Sequence, residues 1–223
     1  KDNKIEIPEF YIVNNKTELA EAVIKLNYGQ VPVIIKPCIG NGSRGIRVLD
    51  GTVDRFDLLF NEKPNSIFST LDEVLTSIGD KKIPRIVVSE YLPGVELTID
   101  TIVNNGALLD CLIRTRTSII NGISTAGSFI DNKEIYEYVD KIVSSIPGLE
   151  GPIGFQVKKS AKGKYLLLES NPRIQGTSVA ALGLGVNLPL RAVNQALGVT
   201  LERLPRHSGI SFTRYYQEAF YDS

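Results

Sequence analysis

Apolar and polar positions along this chain follow two different periods, and each period predicts one kind of element. Apolar residues recur every three or four positions in residues 19–26, 71–78 and 135–146, which is the spacing of a buried helix face. Residues 31–35 are instead a short, continuous apolar run rich in β-branched side chains, which is typical of a buried strand, and residues 86–92 are predicted to form another strand. The pattern therefore predicts helices and strands interspersed along the whole chain.

Glycine-containing turns predict how further strands pair. Asn104-Asn105-Gly106 separates two long predicted strands, 95–103 and 107–116, which is a strong hairpin signal. A two-residue turn at Lys162-Gly163 predicts a second hairpin within residues 153–170. The remaining predicted elements are helices at 178–184 and 188–197 and a strand near 210–215. Hairpins with interspersed helices predict an α+β fold with mainly antiparallel sheets.

Composition narrows the class of function. Lys plus Arg and Asp plus Glu both number 25 in 223 residues, so the chain lacks the basic excess of a generic nucleic-acid surface. Cys38 and Cys111 show no pairing or metal-binding pattern, which fits a reducing cytosol and predicts a cytoplasmic protein. His207 is the one histidine, so a histidine metal site or a Ser-His-Asp triad would depend on that residue alone. No apolar run reaches the length of a membrane-spanning helix.

A glycine-rich loop, Gly40-Asn-Gly-Ser-Arg-Gly45, lies between two predicted strands. The same spacing opens a helix in dinucleotide-binding folds, whereas here the strand-like segment 46–49 follows, and no Gly-Lys-Ser/Thr ending indicates a P-loop. Such a loop can cover a nucleotide because glycine lets backbone N–H groups approach phosphate. Lys36 ends the preceding buried strand and needs an anion nearby. The alternative is an ordinary glycine-rich hairpin.

The segment Glu90-Tyr-Leu-Pro-Gly-Val-Glu96 ends one predicted strand and begins the next. Its backbone could offer N–H and C=O groups to the edge of a purine. Glu96 could accept hydrogen bonds from ribose hydroxyls, as acidic residues do in other nucleotide sites. Two surface glutamates beside a turn are the alternative.

The second predicted hairpin carries a candidate metal site. The turn at Lys162-Gly163 places Gln156 opposite Glu169, and strand alternation puts Asn171 on the same face. Three oxygen-bearing side chains are suited to Mg²⁺, or Mn²⁺, that also binds phosphate and water. Glu169 follows three leucines, so we expect a buried carboxylate that requires a cation. Arg173 could reach a phosphoryl group or an oxyanion, or form a structural ion pair with Glu169.

Taken in order, these segments resemble the signatures of the ATP-grasp superfamily. The matching segments are Val33-Ile-Ile-Lys-Pro37 with its glycine loop, Glu90 to Glu96, and Gln156 followed by Glu169-Ser-Asn-Pro-Arg173. The likeness is closest to the synthetase halves of the carbamoyl-phosphate synthase large subunit. It implies two α+β lobes that sandwich ATP, here residues 1–90 and 91–223, without the α/β domain that usually precedes them.

The resemblance also implies roles for individual residues. Lys36, Gly42, Ser43 and Gly45 would contact phosphate, with Lys36 also acting in catalysis. Glu90, Tyr91 and Leu92 would lie at the adenine and Glu96 at the ribose. The metal ligands would be Gln156, Glu169 and Asn171, and Arg173 would stabilise the transferring phosphoryl group.

The implied function is an ATP- and magnesium-dependent ligase. It would activate a small carboxylate, or bicarbonate, as an acyl phosphate for attack by an amine or similar nucleophile, most simply forming a carbon–nitrogen bond. A non-catalytic ATP-binding regulatory module is the alternative. A kinase-like phosphotransferase is disfavoured because no segment resembles the His-Arg-Asp or Asp-Phe-Gly motifs.

The substrate and the assembly are less specified. Arg114 and Arg116 lie two residues apart on one strand, so they share a face and could bind the substrate carboxylate, or be solvated surface arginines. No nucleic-acid or membrane partner is expected, and a homo-oligomer is left open. Turnover is expected of the full-length protein, and turnover by this fragment alone is left open.

Overall fold

The computed structural model describes residues 5–40, 44–61, 66–120 and 122–222. They divide into two compact units, a smaller one at Pro8–Leu92 and a larger one formed by residues 93–222 together with residues 5–7. Residues 5–7 belong to the larger unit because Glu6 is bonded there: Lys164 Nζ donates to its carboxylate at 2.7 Å and the Tyr138 hydroxyl donates to its carbonyl at 2.5 Å.

The smaller unit is a sheet with helices packed against it. Its strands are β1 (Phe10–Val13), β2 (Val33–Pro37), β3 (Arg47–Leu49), β4 (Phe68–Ser69) and β5 (Ile86–Glu90), in the spatial order β1-β5-β2-β3-β4. Its helices are α1 (Lys16–Lys25), α2 (Arg55–Phe60) and α3 (Leu71–Ile78). Strand β2 begins two residues later than predicted, and Val31 is exposed. Only the β3–β4 pair is parallel within the described chain.

Local capping explains where these helices begin. The Asn15 side chain accepts a hydrogen bond from the Glu18 backbone N–H at 2.9 Å and so caps the start of α1. Thr70 and Glu73 form a reciprocal capping box at the start of α3. Helix α1 buries Leu19, Ala22 and Val23 in the core of this unit.

The larger unit contains a second sheet, in which all pairs of described strands are antiparallel. Its strands are β6 (Glu96–Asn104), β7 (Ala107–Thr115), β8 (Ser118–Ile120), β9 (Ile123–Ile130), β10 (Gly151–Lys159), β11 (Tyr165–Asn171) and β12 (Ser211–Thr213). The spatial order is β11-β10-β6-β7-β9-β12, with β8 paired to β9. The helices are α4 (Lys133–Ser144), a 3₁₀ helix (Ser178–Leu184) and α5 (Leu188–Ala196). The predicted α+β class with antiparallel sheets is confirmed.

The sequence pattern missed several features of this unit. Strands β8 and β9 were not predicted, and residues 178–184 form a 3₁₀ helix where an ordinary helix was expected. Ile146, assigned to the buried stripe of α4, lies beyond the helix end and is exposed. The β6–β7 hairpin is as predicted, and Asn105 and Gly106 have positive φ values of 47° and 77°.

The two faces of the larger sheet differ in character. One face packs Leu97, Ile99, Phe155 and Val157 against the apolar stripe of α4. The opposite face packs Ile102, Leu112 and Phe129 against the 3₁₀ helix and α5, and beyond them it becomes polar. The candidate site lies on this polar part. No helix in the described ranges is long and apolar enough to cross a membrane.

Candidate functional site

A row of polar side chains crosses the larger sheet from its edge strand. Glu169 on β11 pairs with Gln156 on β10, Gln156 pairs with Thr98 on β6, and Thr98 pairs with Arg114 on β7. Side chains of directly paired residues lie on the same face of a sheet. This row therefore lies on the face opposite the α4 core.

The pair of Gln156 and Glu169 is present, but the predicted turn is wrong. The loop has three residues rather than two, because the Ser160 N–H donates to the Lys164 carbonyl at 2.8 Å. Farther along, Val157 pairs with Leu167, and the register then shifts between Val157 and Gln156. This bulge brings Glu169 opposite Gln156.

The β11 end of the row lies at the surface. Glu169 is exposed rather than buried, because β11 is the edge strand and only Leu166 of the three preceding leucines is fully covered. The Asn171 amide Nδ2 donates a hydrogen bond to the Glu169 carboxylate. Arg173 makes no ion pair with Glu169, and its Nη1 donates to the Ile174 carbonyl at 3.1 Å.

The donor set at this edge fits magnesium. It contains one carboxylate and two side-chain amides, which are hard oxygen ligands. Among the described residues no three His, Cys, Asp or Glu side chains are placed to hold a metal. A cation here would therefore complete its shell with phosphate oxygens and water, as magnesium commonly does.

A buried polar network lies beside the row, and the sequence reasoning missed it. Gln175 Nε2 donates to the Ile99 carbonyl at 3.0 Å and to Asp100 Oδ1 at 3.1 Å, while Arg114 Nε donates to Asp100 Oδ2 at 2.8 Å. A Cβ added at Gly154 would lie 2.3 Å from Gln175 Cδ, so only glycine leaves room for that side chain. The sequence did contain one signal for this network. Asp100 and Arg114 are opposite charges that lie inside the two strands of the predicted hairpin 95–116.

The two candidate substrate arginines have different partners. The Arg114 side chain is 2% exposed and paired with Asp100. The Arg116 side chain is 6% exposed, and its Nη1 forms an ion pair with Glu96. Arg116 Nε also donates to Ser124 Oγ at 2.9 Å and Nη2 to the Gly122 carbonyl at 2.6 Å. Neither is a solvated surface arginine.

The smaller unit carries the remaining predicted residues. Lys36 is half-buried in β2, Glu90 ends β5, and half-buried Tyr91 and buried Leu92 follow it. Gly42 and Ser43 lie outside the described residues. Gly45 has a φ of +75°, and a Cβ there would lie 2.8 Å from Pro37 Cγ. Glycine at this position therefore lets the end of the loop pass beside the proline that follows Lys36.

Comparison with known proteins identifies related chains. A curated relative, the acetyl-CoA carboxylase of Dictyostelium discoideum, is 26% identical over 199 residues, covering 86% of this chain and 8% of the carboxylase. N5-carboxyaminoimidazole synthase from Aspergillus clavatus, solved with ADP and 5-aminoimidazole ribonucleotide, matches with a TM-score of 0.68 at 14% identity. That match covers 91% of this chain and 50% of the synthase.

A second structure shares the same fold. The biotin carboxylase domain of Hydrogenobacter thermophilus 2-oxoglutarate carboxylase, solved with MgADP, ADP and bicarbonate, gives a TM-score of 0.64 at 18% identity. The match covers 93% of this chain and 44% of that domain. The chain thus spans half or less of the length of each of these proteins. Residues 82–218, more than half of the chain, match the family model described as "ATP-grasp in the biosynthetic pathway with Ter operon". The chain therefore belongs to this ATP-grasp family.

Proposed function

We propose that this protein is an ATP- and magnesium-dependent ligase that activates a carboxylate, or bicarbonate, as an acyl phosphate. A nucleophile, most simply an amine, would then attack the acyl carbon and form a carbon–nitrogen bond. Membership of the ATP-grasp family supports the ATP-dependent class. The observation that carries the proposal is the cluster of Gln156, Glu169 and Asn171 at the edge of the larger sheet.

Each residue of this cluster has a distinct contribution. Glu169 supplies the negative charge, and its exposed carboxylate is accessible to a hydrated cation. Gln156 would contribute an amide oxygen from the neighbouring strand. Asn171 uses its Nδ2 on Glu169, which leaves Oδ1 as its ligating atom. Magnesium bound there would neutralise charge on the phosphate oxygens of ATP.

Each unit carries residues that the ATP-grasp resemblance assigns to the nucleotide. In the smaller unit, Lys36 and the glycine loop are assigned to phosphate, and the backbone from Glu90 to Leu92 is assigned to adenine. In the larger unit, Glu96 is assigned to the ribose hydroxyls, which donate hydrogen bonds to a carboxylate.

Arg173 is assigned to the chemical step. A carboxylate oxygen attacks the γ-phosphorus of ATP, the bond from that phosphorus to the β–γ bridging oxygen breaks, and ADP leaves. The nucleophile then attacks the acyl carbon, and phosphate leaves with the carboxylate oxygen. The Arg173 side chain is exposed. Among the described residues, its guanidinium donates one hydrogen bond, from Nη1 to the Ile174 carbonyl. Its guanidinium can therefore stabilise negative charge on the phosphoryl group or on the oxyanion.

Labelled oxygen tests the proposed reaction. Full-length protein would be incubated with Mg-ATP, a nucleophile and ¹⁸O-labelled acids, with bicarbonate among them. The phosphate would then be examined by ³¹P NMR. We expect ADP formation to depend on the acid and one ¹⁸O atom to appear in the released phosphate, because that oxygen bridges carbon and phosphorus in an acyl phosphate.

Two other results would contradict the ligase. Tight Mg-ATP binding without ADP formation in the presence of any acid would instead support the non-catalytic regulatory module. ADP formation with unlabelled phosphate would indicate hydrolysis by water. A sample without nucleophile serves as the control, because acyl phosphate should then accumulate or hydrolyse slowly.

A further inference from the structure

We propose that Arg116 is a positioning residue that holds the Glu96 carboxylate for the ribose of ATP. This inference rests on the proposed function, which assigns Glu96 to the ribose hydroxyls. It gives Arg116 a role toward the nucleotide rather than toward the carboxylate substrate.

The Arg116 guanidinium is held by three different groups. Nη1 is paired with Glu96 Oε1, Nε donates to Ser124 Oγ at 2.9 Å, and Nη2 donates to the Gly122 carbonyl at 2.6 Å. Gly122 directly precedes β9 and Ser124 is its second residue, so neither belongs to β6, the strand of Glu96. Because two of the three contacts do not involve Glu96, the planar guanidinium has its orientation set independently of that carboxylate.

Glu96 has one oxygen engaged and one available. Oε1 accepts from Arg116, while no described residue donates to Oε2. The Glu96 side chain is 22% exposed and that of Arg116 is 6% exposed, so a ligand can reach the carboxylate more readily than the guanidinium. A carboxylate fixed in this way accepts a hydroxyl hydrogen bond with little further loss of side-chain freedom.

The same geometry disfavours direct binding of the substrate carboxylate by Arg116. A bidentate contact needs two parallel N–H groups on one edge of the guanidinium. Three of the five N–H groups of Arg116 already have partners within this unit, and the Nε–H is one of them, so the guanidinium edge that includes Nε is occupied. The side chain is also only 6% exposed, which limits the access of a substrate acid to the remaining two N–H groups. Removing Arg116 should therefore change how ribose is recognised and leave recognition of the acid unchanged.

Ribose discrimination is the measurement that separates these roles. Calorimetry on the full-length protein would compare Mg-ATP with its 2′-deoxy and 3′-deoxy analogues for wild type, Arg116→Ala, Glu96→Ala and the double variant. We expect wild type to prefer ATP over at least one analogue by about tenfold, the effect of losing one hydrogen bond to a charged group. Arg116→Ala should reduce this preference to about twofold or less, since an unfixed Glu96 loses its orientation.

The double variant and a control sharpen the test. In the Glu96→Ala background, Arg116→Ala should change the preference no further, because Arg116 acts through Glu96. Arg191→Ala removes another arginine of the same unit, one that pairs with Asp110 at 2.5 Å, and should keep the wild-type preference. If circular dichroism shows that Arg116→Ala does not fold, Arg116→Lys replaces it. Lysine keeps the positive charge but lacks the planar set of guanidinium N–H donors, so this variant should show an intermediate preference for ATP over the deoxy analogues.

Other results would overturn the inference. An unchanged ATP preference in Arg116→Ala, with a raised KM for the acid, would assign Arg116 to the substrate instead. If the wild type binds Mg-ATP and both deoxy analogues with equal affinity, the assignment of Glu96 to the ribose is rejected. That result would not contradict the proposed ligase activity. A wild type that binds no Mg-ATP would reject the proposed function itself.

Discussion

Gln156 and Glu169 lie directly across from each other on β10 and β11 because of one bulge. In an unbroken continuation of the Val157–Leu167 register, Leu168 would face Gln156 and Glu169 would face Phe155. Phe155 lies in the core beneath α4, and a slip of one residue turns every side chain to the other face. The bulge therefore directs Glu169 and Asn171 to the face that carries Gln156.

The first prediction concerns the metal. Glu169→Ala should abolish magnesium-dependent nucleotide binding, because it removes the one carboxylate of the cluster. The fold should persist, since the side chain is exposed. Calorimetry with Mg-ATP measures the affinity, and Glu218→Ala, at another exposed glutamate, serves as the control. Unchanged Mg-ATP affinity in Glu169→Ala would exclude this ligand.

The second prediction separates chemistry from binding. Arg173→Ala should lower kcat about a hundredfold with little change in ATP affinity, the size expected for one lost electrostatic contact in the transition state. Lys36→Ala should weaken ATP binding as well as rate, because a phosphate contact also acts in the ground state. Steady-state kinetics and calorimetry on the full-length protein measure both effects. If Arg173→Ala changes binding alone, its catalytic role is rejected.

The third prediction concerns the close approach of Gly154 and Gln175. Gly154→Ala should lower the free energy of unfolding by about 1–3 kcal/mol, because the new methyl group displaces Gln175 from its two hydrogen bonds. Gly176→Ala is the matched control, since a Cβ there meets no atom within 4 Å, and it should change stability by less than about 0.5 kcal/mol. Urea unfolding followed by circular dichroism compares them. Equal effects would show that Gln175 does not pack on Gly154.

The fourth prediction concerns the buried pair of Asp100 and Arg114. Their side chains are 4% and 2% exposed, so Asp100→Ala should leave a buried guanidinium unpaired and cost about 3–5 kcal/mol. Replacing both, as Asp100→Ala with Arg114→Met, should recover part of that loss because no isolated charge remains. Urea unfolding of the two variants gives the comparison. A double variant less stable than Asp100→Ala would contradict this explanation.

The fifth prediction concerns the two thiols. Desolvation by burial raises the pKa of the Cys111 thiol to about 12 from an ordinary value of 9.0, although nearby Arg203 lowers it. Cys38 is exposed. At pH 8 a thiol reagent should therefore modify exposed Cys38 much faster than half-buried Cys111 in the native protein, as peptide mapping after timed labelling would reveal. Equal labelling rates for the two thiols would contradict the raised pKa of Cys111.

The same pKa predicts how stability depends on pH. The unfolded Cys111 thiol begins to ionise near pH 9, while the folded thiol keeps its proton to about pH 12. Its contribution is therefore complete below pH 9 and is lost as pH rises toward 12. Cys111→Ala should flatten that part of the stability profile relative to Cys38→Ser. A profile that does not change would refute the pKa shift.

Local interactions explain what the sequence alone predicted well. The turn at Asn105-Gly106 needs two residues that tolerate positive φ, and the prediction of α3 rests on apolar residues that recur every three or four positions within residues 71–78. Such signals involve neighbours in the chain, so the β6–β7 hairpin and the bounds of α3 could be predicted. The order of the ATP-grasp segments is likewise a property of the sequence, and it predicted the family.

The tertiary structure decided which of these residues are buried and what they pair with. Gln175 and Asp100 pair although they lie 75 positions apart in the chain. Glu96 comes beside Arg116 because the register of the β6–β7 hairpin shifts between Ile102 and Val103. Glu169 is exposed because β11 is the edge strand of the sheet. The face of the sheet on which its side chain lies is set by the bulge between Gln156 and Val157. A periodic pattern gives the alternation of a strand but not its place in the sheet, so neither property could be predicted from it.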